Sequence, residues 1–242
     1  MLKTEFHLHT ADDPIDTIPH TTLDAIDRTA ALGYQALAIT LHDRQLPLDD
    51  HLIGYARERG IVLIPGVERT LSGKHVLLLN FPEEAESLRN FDELRRLKAK
   101  SNGVVVAPHP FYPARCCLRR LMDTYADFID VVEFNYFYTR TVDFNRPALR
   151  WASKHGRPVL ANADVHRLSQ LGRTFSLVEA DPDVAAICDA LRRGRIEIRT
   201  APLSHVEAAT YLASLLLNLP DMNPTSARDT ARGAPALDLS LR

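Results

Sequence analysis

The sequence predicts an α/β protein built as a barrel of mainly parallel strands. Three observations support this prediction: short apolar runs alternate with amphipathic segments, Gly33 and Gly60 stand where helices are expected to end, and a length of 242 residues suits one barrel-sized domain. Alternating strands and helices form parallel βα units, and the number of units here favours a closed or nearly closed barrel.

Nine short apolar runs are the predicted strands. They are Lys3–Phe6, Ala36–Ile39, Val62–Ile64, Val76–Leu79, Val104–Ala107, Ile129–Glu133, Val159–Ala161, Ser176–Val178 and, as a late edge strand, Ile196–Arg199. The segments between them repeat their apolar residues at helical spacing. The predicted helices are Leu23–Leu32, Asp49–Arg59, Phe91–Lys100, Leu118–Tyr125, Asn145–His155, Val184–Arg193 and Val206–Leu217.

Composition limits the function classes. With 45% hydrophobic and 25% charged residues and a net charge of −2, the chain shows no strong nucleic-acid or membrane signal, and no apolar run is long enough to span a bilayer. Three cysteines give neither a disulfide framework nor a zinc-finger spacing, so we interpret them as buried apolar residues and expect a cytoplasmic protein. Residues 1–219 are the predicted barrel domain, and residues 220–242, without periodicity, are a predicted flexible tail.

A His-x-His pair, His7 and His9, closes the first predicted strand. Residues two apart on a strand point to the same face, so both imidazoles can reach one point in space. Imidazole is the commonest protein ligand for zinc and related divalent metals. The pair is therefore a half-site whose meaning depends on further ligands elsewhere in the chain.

Further metal-competent side chains follow other predicted strands. His42, Glu68 and His109 each come shortly after an apolar run, and Asp164 and His166 both follow Val159–Ala161. In a parallel barrel the C-terminal strand ends meet at one face, where active sites are built. His75 differs because it opens the strand Val76–Leu79, so we expect that strand to run the other way or His75 to enter from a loop.

The number of candidate ligands exceeds the three or four that a single zinc ion takes. Six imidazoles and two carboxylates are available: His7, His9, His42, Glu68, His75, His109, Asp164 and His166. We expect two or three divalent ions, with Glu68 able to bridge neighbouring ions. A mixed nitrogen and oxygen donor set suits Zn²⁺, Mn²⁺ or Fe²⁺, and the sequence does not rank them.

Each of these residues has an ordinary alternative when it is taken singly. A lone His42 or His109 is more often a surface or core histidine than a ligand, and Asp164 also suits a helix N-cap. Taken together, the ordinary alternatives require the same strand-end placement to recur by chance. The recurrence favours a metal site.

The order of these motifs resembles the PHP (polymerase and histidinol phosphatase) family. The matching motifs are His7-x-His9, Thr40-x-His42, Gly66-x-Glu68, His75, Pro108-His109-Pro110 and Asp164-x-His166, and the resemblance runs from about Leu2 to about Leu203. It implies a distorted (β/α)₇ barrel with a two- or three-metal cluster at the strand C-terminal ends. It also implies metal ligation by the eight candidate ligands and, for many members, hydrolysis of phosphoesters.

The resemblance also implies a ninth ligand shortly after His-x-His. Asp12, Asp13 and Asp16 compete for this place, and we favour Asp16. One departure is that the usual Thr-Asp-His is Thr40-Leu41-His42 here, which removes an acid from the surroundings of His42. The other is a short gap between Glu68 and His75, which makes His75 the weakest member of the ligand set.

Clustered divalent ions would bind phosphate oxygens, neutralise charge in the transition state and lower the pKa of a water molecule that attacks phosphorus. A side-chain nucleophile is then not required, and the sequence agrees with this because it contains no nucleophile-elbow motif. We assign Asp16, Arg44 and Arg173 to catalysis, the two arginines as phosphate contacts, with Lys74 and Arg167 as further candidates. Solvated surface cations are the alternative for each.

Other polar and aromatic residues lie near the expected site. Glu133 and Asn135 follow a predicted strand and are candidate partners of the ligand histidines. The aromatic run between Phe134 and Tyr138 suits either a substrate pocket or, as we favour, core packing. Four histidines match no motif and are expected to be ordinary: His20, His51, His155 and His205.

The leading hypothesis is a free-standing, metal-dependent phosphoesterase that acts on a small phosphorylated substrate such as a nucleotide or sugar phosphate. One alternative keeps the metal cluster but uses it for amidohydrolase-like hydrolysis of a non-phosphate substrate. A third is a non-catalytic metal-binding regulatory domain, which the near-complete ligand set argues against.

Overall fold

The computed structural model describes residues 1–217 and 236–237, and these residues form strands and helices in alternation. The strands are β1 (Leu2–Glu5), β2 (Ala36–Ile39), β3 (Val62–Leu71), β4 (Lys74–Leu79), β5 (Val104–Ala107), β6 (Val131–Asn135), β7 (Val159–Asn162), β8 (Phe175–Val178) and β9 (Ile196–Arg199). The helices are α1 (Thr22–Ala31), α2 (Asp50–Glu58), α3 (Phe91–Lys98), α4 (Leu121–Thr124), α5 (Asn145–His155), α6 (Val184–Arg192) and α7 (His205–Leu216). Every predicted strand and helix is present.

The strands form one mixed sheet in the order β7-β6-β5-β4-β3-β2-β1-β8-β9. The pairs β1–β2, β2–β3, β5–β6 and β6–β7 are parallel, whereas β4 is antiparallel to both β3 and β5. The hairpin β8–β9 adds to β1 in antiparallel fashion. The α/β barrel expected from the sequence is therefore confirmed, with β4 running the opposite way as the position of His75 suggested.

The sheet curves so that β7 meets β1 again just beyond their C-terminal ends. Leu8 and Val165 form a parallel bridge, in which the Val165 N–H donates to the His7 oxygen (2.9 Å) and the His9 N–H to the Val165 oxygen (3.0 Å). Strands β1 to β7 thus form a nearly closed barrel, and β8 lies against both β1 and β7, where the Ala161 N–H donates to the Ser176 hydroxyl (2.8 Å). The closure falls within the segments that carry His7, His9, Asp164 and His166.

The central strands are buried on both faces. Every residue of β2, β5, β6 and β7 is buried, as expected for strands covered by helices on one side and barrel contents on the other. Apolar side chains of the strands pack against α1, α3, α5 and α6 in three clusters. The rigid barrel fixes the positions from which the polar strand-end residues project.

Two predicted boundaries are wrong for identifiable reasons. The strand predicted at Val62–Ile64 continues to Leu71, because β3 pairs with β4 along a hairpin whose polar residues hide its strand character. The helix predicted from Leu118 begins only at Leu121. Arg119 has φ 50° and donates its N–H to the Pro110 oxygen, so the chain is still turning there.

The helix ends follow local chemistry. Thr21 caps α1, since its hydroxyl accepts the Asp24 N–H (3.1 Å) and the Asp24 carboxylate accepts the Thr21 N–H (2.9 Å). Gly33 and Gly60 have φ 75° and 73°, the left-handed conformation expected of glycines just after a helix. No helix in the described residues is long and apolar enough to cross a membrane.

The predicted tail lies largely outside the described residues. Its two described members, Ala236 and Leu237, lie beside β9, where Ala236 bridges Arg199 and the Leu237 N–H donates to the Ile198 oxygen (2.9 Å). The division into residues 1–219 and 220–242 stays a prediction.

Candidate metal centre

Glu68 lies at the centre of a group of imidazoles at the barrel mouth. Its Oε2 atom is 3.3 Å from His7 Nε2, 3.3 Å from His9 Nε2 and 3.2 Å from His42 Nε2. Its Oε1 atom is 2.7 Å from His75 Nδ1 and 3.3 Å from His109 Nε2. One buried carboxylate therefore faces five imidazoles drawn from four different strand ends.

The remaining two predicted ligands complete the group. Asp164 Oδ1 lies 3.2 Å from His7 Nε2, and His166 Nδ1 lies 3.5 Å from the same oxygen. Donor atoms of His7, His9 and Glu68 lie within 4.8 Å of one another, as do those of His9, Asp164 and His166. The structure thus brings all eight predicted ligands together.

The three candidates for the ninth ligand have different positions. Asp13 Oδ2 accepts from Nδ1 of both His9 (2.9 Å) and His42 (3.0 Å), on the side of each ring away from Glu68. Asp12 accepts from the Thr22 hydroxyl (2.8 Å). Asp16 Oδ2 faces His166 Nε2 at 3.1 Å. Asp13 thus contacts two predicted ligands and Asp16 a third, and the choice of Asp16 as the ninth ligand stays a prediction.

Carboxylates also hold the Nδ1 sides of the ligand rings. Glu133 Oε2 accepts from His7 Nδ1 at 2.8 Å, which confirms the expected outer partner, and its Oε1 accepts from the His109 N–H (3.1 Å). An ionised carboxylate only accepts, so Nδ1 of His7 carries the proton and Nε2 has the free lone pair. Asn135 donates to Glu133 Oε1 at 3.0 Å.

The acid missing from the Thr40-Leu41-His42 motif is replaced from another loop. Leu41 is fully buried in the core, and Asp13 supplies the carboxylate that accepts from His42 Nδ1. His42 therefore keeps its Nε2 lone pair directed at Glu68, as His7 and His9 do. The tautomer of His42 is therefore not altered by the loss of the acid from the motif, because its proton stays on Nδ1.

The residues present fit divalent metal ions. Among the described residues, Nε2 of His7 and Nε2 of His9 are fully buried and make no hydrogen bond, although both face Glu68 Oε2. A buried imidazole lone pair without a donor is costly unless a cation takes it. The donor set of imidazole nitrogens and carboxylate oxygens suits Zn²⁺, Mn²⁺ or Fe²⁺.

Two of the six non-glycine residues with a positive φ in the described chain are predicted ligands. His109 has φ 29° and Asp164 has φ 51°, in the left-handed region that residues with a Cβ atom rarely adopt. Such strain persists only where the surroundings hold the backbone in place, and it is commonest at functional sites. His109 here faces Glu68, and Asp164 faces His7.

The dense packing of acids and imidazoles shifts their pKa values. Burial lowers the pKa of His42, but the Asp13 and Glu68 carboxylates outweigh burial and raise it to about 9. Burial likewise opposes the shift at His109, where Glu68 and Asp164 raise the pKa to about 9. Burial alone would raise the pKa of Glu68, yet the imidazoles around it hold that pKa well below its usual range.

The predicted phosphate contacts are placed differently from one another. Arg44 is exposed and its guanidinium donates to the Asp12 oxygen, beside the loop that carries Asp16. Arg173 is engaged elsewhere, since it pairs with Glu207 and donates to the Pro202 oxygen (3.1 Å). The catalytic roles of Asp16, Arg44 and Arg173 stay predictions.

The two further cation candidates also differ. Arg167 is buried and donates to the His166 oxygen (2.9 Å), so it supports a ligand backbone. Lys74 lies next to His75 and lines a cavity of about 610 Å³ together with Arg119, Arg120 and Trp151. Adjacent residues of a strand point to opposite faces, so the cavity bordered by Lys74 lies on the side of β4 away from the His75 ring.

The aromatic run between Phe134 and Tyr138 packs partly in the core and partly against α7. Phe134 is fully buried and Tyr136 and Tyr138 nearly so, as core packing requires, while Phe137 and Tyr136 contact the Tyr211 ring. Of the histidines expected to be ordinary, His20 differs, because its Nε2 donates to the His9 oxygen (2.9 Å).

Sequence reasoning missed three contributors. The Cys117 sulfur lies 3.3 Å from His109 Nδ1, on the face of the ring away from Glu68. The Glu5 carboxylate accepts the N–H groups of His7 and Ala163, both at 3.0 Å, and so joins the ends of β1 and β7. Asp13 was considered only as a ligand. A polar Glu5 inside an apolar strand was the one signal available.

Comparisons with known proteins agree with this geometry. The family profile described as PHP-associated matches residues 143–196, which include Asp164 and His166. No curated protein sequence matches significantly. The fold is similar to PsfC from Pseudomonas syringae PB-5123, with a TM-score of 0.60 and 15% identity over 89% of this chain and 97% of that chain.

Two further solved structures have the same fold. A protein from Bifidobacterium adolescentis, assigned as a metal-dependent phosphoesterase, has a TM-score of 0.56 and 15% identity over 84% of this chain and 97% of that chain. The lesion-specific endonuclease PfuEndoQ from Pyrococcus furiosus has a TM-score of 0.56 and 17% identity over 92% of this chain and 72% of that chain. The barrel, the ordered ligand motifs and the PHP-associated segment agree with the resemblance of the chain to the PHP family.

Proposed function

We propose that this protein is a metal-dependent phosphoesterase that hydrolyses a small phosphorylated substrate, such as a nucleotide or sugar phosphate, with two or three divalent ions. The observation that carries the proposal is the position of Glu68 between two groups of imidazoles, three facing one of its oxygens and two facing the other. A carboxylate in this position is suited to bridge neighbouring ions.

Divalent ions held there would neutralise phosphate charge and lower the pKa of a coordinated water. The protein contributes the fixed arrangement of donors. His7, His9 and His42 present Nε2, because carboxylates hold the proton on each Nδ1 atom. Asp16, whose side chain is 43% exposed, stands on the open side of the cluster, where it can meet both an ion and solvent.

Exposed and cavity-lining cations are available to an anionic substrate. Lys74, Arg119 and Arg120 line a cavity of about 610 Å³. Arg44 borders the opposite loop, near Asp16. Guanidinium and ammonium groups bind phosphate oxygens through charge-assisted hydrogen bonds. Arg173 would have to leave Glu207 before it contacted a phosphate, so we rank it below Arg44.

A phosphodiester in nucleic acid is the second candidate substrate. The segment from Pro108 to Arg120 carries three cations and no acidic residue. Among the described residues, Arg115, Arg119 and Arg120 form no ion pair and no side-chain hydrogen bond. A solved structure with this fold is that of a lesion-specific endonuclease. Three arginines without ion pairs in one short segment of the described chain are the feature that favours a nucleic-acid strand.

The test is to purify the protein, measure bound metal, and assay p-nitrophenyl phosphate, nucleotides, sugar phosphates and DNA strands with Mn²⁺, Zn²⁺ and Fe²⁺. We expect two or three ions per chain and phosphoester cleavage. Both should be lost in His7→Ala, which removes a ligand, and kept in His51→Ala, an exposed histidine on α2. Bound metal without cleavage of any phosphoester would contradict the proposal and favour amidohydrolase-like chemistry, which simple amide substrates then test.

A further inference from the structure

Two adjacent thiols lie behind one of the metal ligands. Cys117 is buried, and its sulfur is 3.3 Å from His109 Nδ1, while His109 Nε2 faces Glu68 on the other side of the ring. Cys116 is half-buried, and its sulfur lies within 4.8 Å of the Cys117 sulfur. His109 therefore stands between the nitrogen and oxygen cluster and a pair of sulfurs.

The three donors are close enough for one ion. Nitrogen and sulfur donor atoms of His109, Cys116 and Cys117 all lie within 4.8 Å of one another. Ligands of a single ion at normal bond lengths of about 2.0–2.3 Å are separated by less than this. The spacing therefore requires little movement of the side chains.

The backbone around the thiols is fixed. The His75 N–H donates to the Cys116 oxygen (2.8 Å), and the Arg119 N–H donates to the Pro110 oxygen (2.8 Å). The loop is tied at one point to β4 and at another to itself. The donor positions therefore belong to the folded barrel and do not depend on a free loop.

The segment that carries the thiols is rich in arginine. Metal ions bind cysteine as thiolate. Arg115 adjoins Cys116, and Arg119 and Arg120 follow Cys117 by two and three residues. No acidic residue lies between Pro108 and Arg120.

We propose that His109, Cys116 and Cys117 form a second metal site, specific for a thiophilic divalent ion such as Cd²⁺ or Zn²⁺. One imidazole nitrogen and two thiolates are a soft donor set, unlike the nitrogen and oxygen donors around Glu68. Binding releases the two thiol protons to solvent, and the lone pair of His109 Nδ1 completes the donors. The site does not depend on the proposed hydrolytic activity.

Filling this site takes His109 away from the main cluster. When the Nδ1 lone pair binds the thiophilic ion, the imidazole proton resides on Nε2, the atom that faces Glu68 at 3.3 Å. A protonated Nε2 cannot bind an ion of the cluster. The thiol site and the cluster therefore compete for one imidazole, and a thiophilic ion acts as an inhibitor.

Cadmium titration of the purified, metal-loaded protein tests the site directly. The sulfur-to-cadmium charge-transfer absorbance reports only thiolate ligation, so ions exchanged into the nitrogen and oxygen cluster do not contribute. We expect the absorbance to saturate at one Cd²⁺ per chain. It should be lost in the double variant Cys116→Ser, Cys117→Ser and unchanged in Cys188→Ser, whose thiol is buried in α6.

Cys116→Ser alone keeps the test decisive if the double variant does not fold, because Cys116 is only half-buried. Its charge-transfer absorbance should fall to roughly half. Absorbance that persists in the double variant, that disappears in Cys188→Ser, or that never develops in the unaltered protein would overturn the proposal.

An activity measurement tests whether the thiol site and the cluster compete for His109. This second experiment rests on the proposed function. Cd²⁺ at the concentration that saturates the absorbance should slow phosphoester cleavage in the unaltered protein and in Cys188→Ser, and slow it less in Cys116→Ser. Equal inhibition of all three proteins would contradict the competition for His109. If no phosphoester is cleaved by any of them, the proposed function fails while the absorbance still decides the site.

Discussion

The two sides of the ligand group are supported differently. On the carboxylate-supported side, His7, His9 and His42 donate from Nδ1 to Glu133 or Asp13. On the thiol side, His109 Nδ1 faces the Cys117 sulfur, and His75 uses Nδ1 to face Glu68 itself. A carboxylate fixes the proton of a ring firmly, whereas a thiol is a weak partner that can change roles. The thiol side should therefore hold metal less tightly and exchange it more readily.

The largest expected effect comes from Glu68, whose carboxylate faces imidazoles on both sides. Glu68→Gln removes the bridging charge and leaves five imidazoles without it. We expect metal affinity to fall by more than about 100-fold, since even partners outside the ligand set cost 10–100-fold. Metal content after dialysis measures this loss. If only one ion is lost, the two sides hold their ions independently and Glu68 is not shared.

A change in pH should alter metal affinity on both sides of the ligand group. His42 on one side and His109 on the other have pKa values raised to about 9, so metal binding at neutral pH displaces a proton from each. Affinity should rise by up to about 100-fold per pH unit between about 7 and 9. Calorimetry in buffers of different ionisation enthalpy counts the protons. Release of fewer than one would show that the two rings are already neutral.

The metal-free protein should respond to pH with the opposite sign. A folded-state pKa raised above the usual 6.5 stabilises the protein fully below about pH 6.5, and this contribution is lost as the pH rises through about 9. Thermal unfolding of metal-free protein should therefore occur at lower temperature at the alkaline end. A flat profile would contradict the raised pKa values.

The carboxylate-supported side can be weakened through Asp13. Asp13→Asn keeps the size of the side chain but removes the charge that accepts from His9 and His42. We expect a 10–100-fold loss of metal affinity with the fold intact. Asp12→Asn is the neighbouring control, since Asp12 contacts Thr22 and no ligand ring. Equal effects in the two variants would show that general charge, and not the ring contact, is responsible.

A substitution on the thiol side should lower metal affinity less than Asp13→Asn does. Cys117→Ser replaces a weak partner of His109 with a hydroxyl, and we expect metal affinity to fall by less than about tenfold. Cys188→Ser, remote from the cluster, is the matched control. A loss in Cys117→Ser as large as that in Asp13→Asn would remove the distinction between the two sides.

The smallest effect on metal binding is expected at His20. Its Nε2 atom donates to the His9 oxygen and it is buried, so His20→Ala should lower the free energy of unfolding by about 1–3 kcal/mol. Metal stoichiometry should stay unchanged. Denaturant unfolding with metal analysis checks both, and loss of an ion would show that the His9 backbone position is critical.

The ligands were predictable from the sequence because they recur at strand ends. His42, Glu68, His109, Asp164 and His166 each follow an apolar run, and the barrel brings such positions to one face, although β3 continues past Glu68 to Leu71. The reversed direction of β4 was also foreshadowed, since His75 stands at the start of its strand. Periodicity and placement were sufficient there because both are local properties of the chain.

The residues that hold the ligand rings in place were harder to predict from the sequence, because their positions depend on loop conformation. Asp13 meets His42 across 29 positions of sequence, and nothing in the spacing distinguishes it from Asp12 or Asp16. Cys117 resembled an ordinary buried cysteine, and only the turn after His109 brings its sulfur to Nδ1. The start of α4 was misplaced for the same reason, since the positive φ of Arg119 has no sequence signature.

The closure of the barrel at Leu8 and Val165 has a mechanical consequence. These residues are flanked by His7, His9, Asp164 and His166, so the seam of the cylinder and the metal ligands share one stretch of backbone. Ions held there would join the two strand ends, and their removal should allow the hydrogen bonds between these strand ends to open more often. Amide hydrogen exchange at His9 and Val165, slow in the loaded protein, should then accelerate before the rest of the barrel responds.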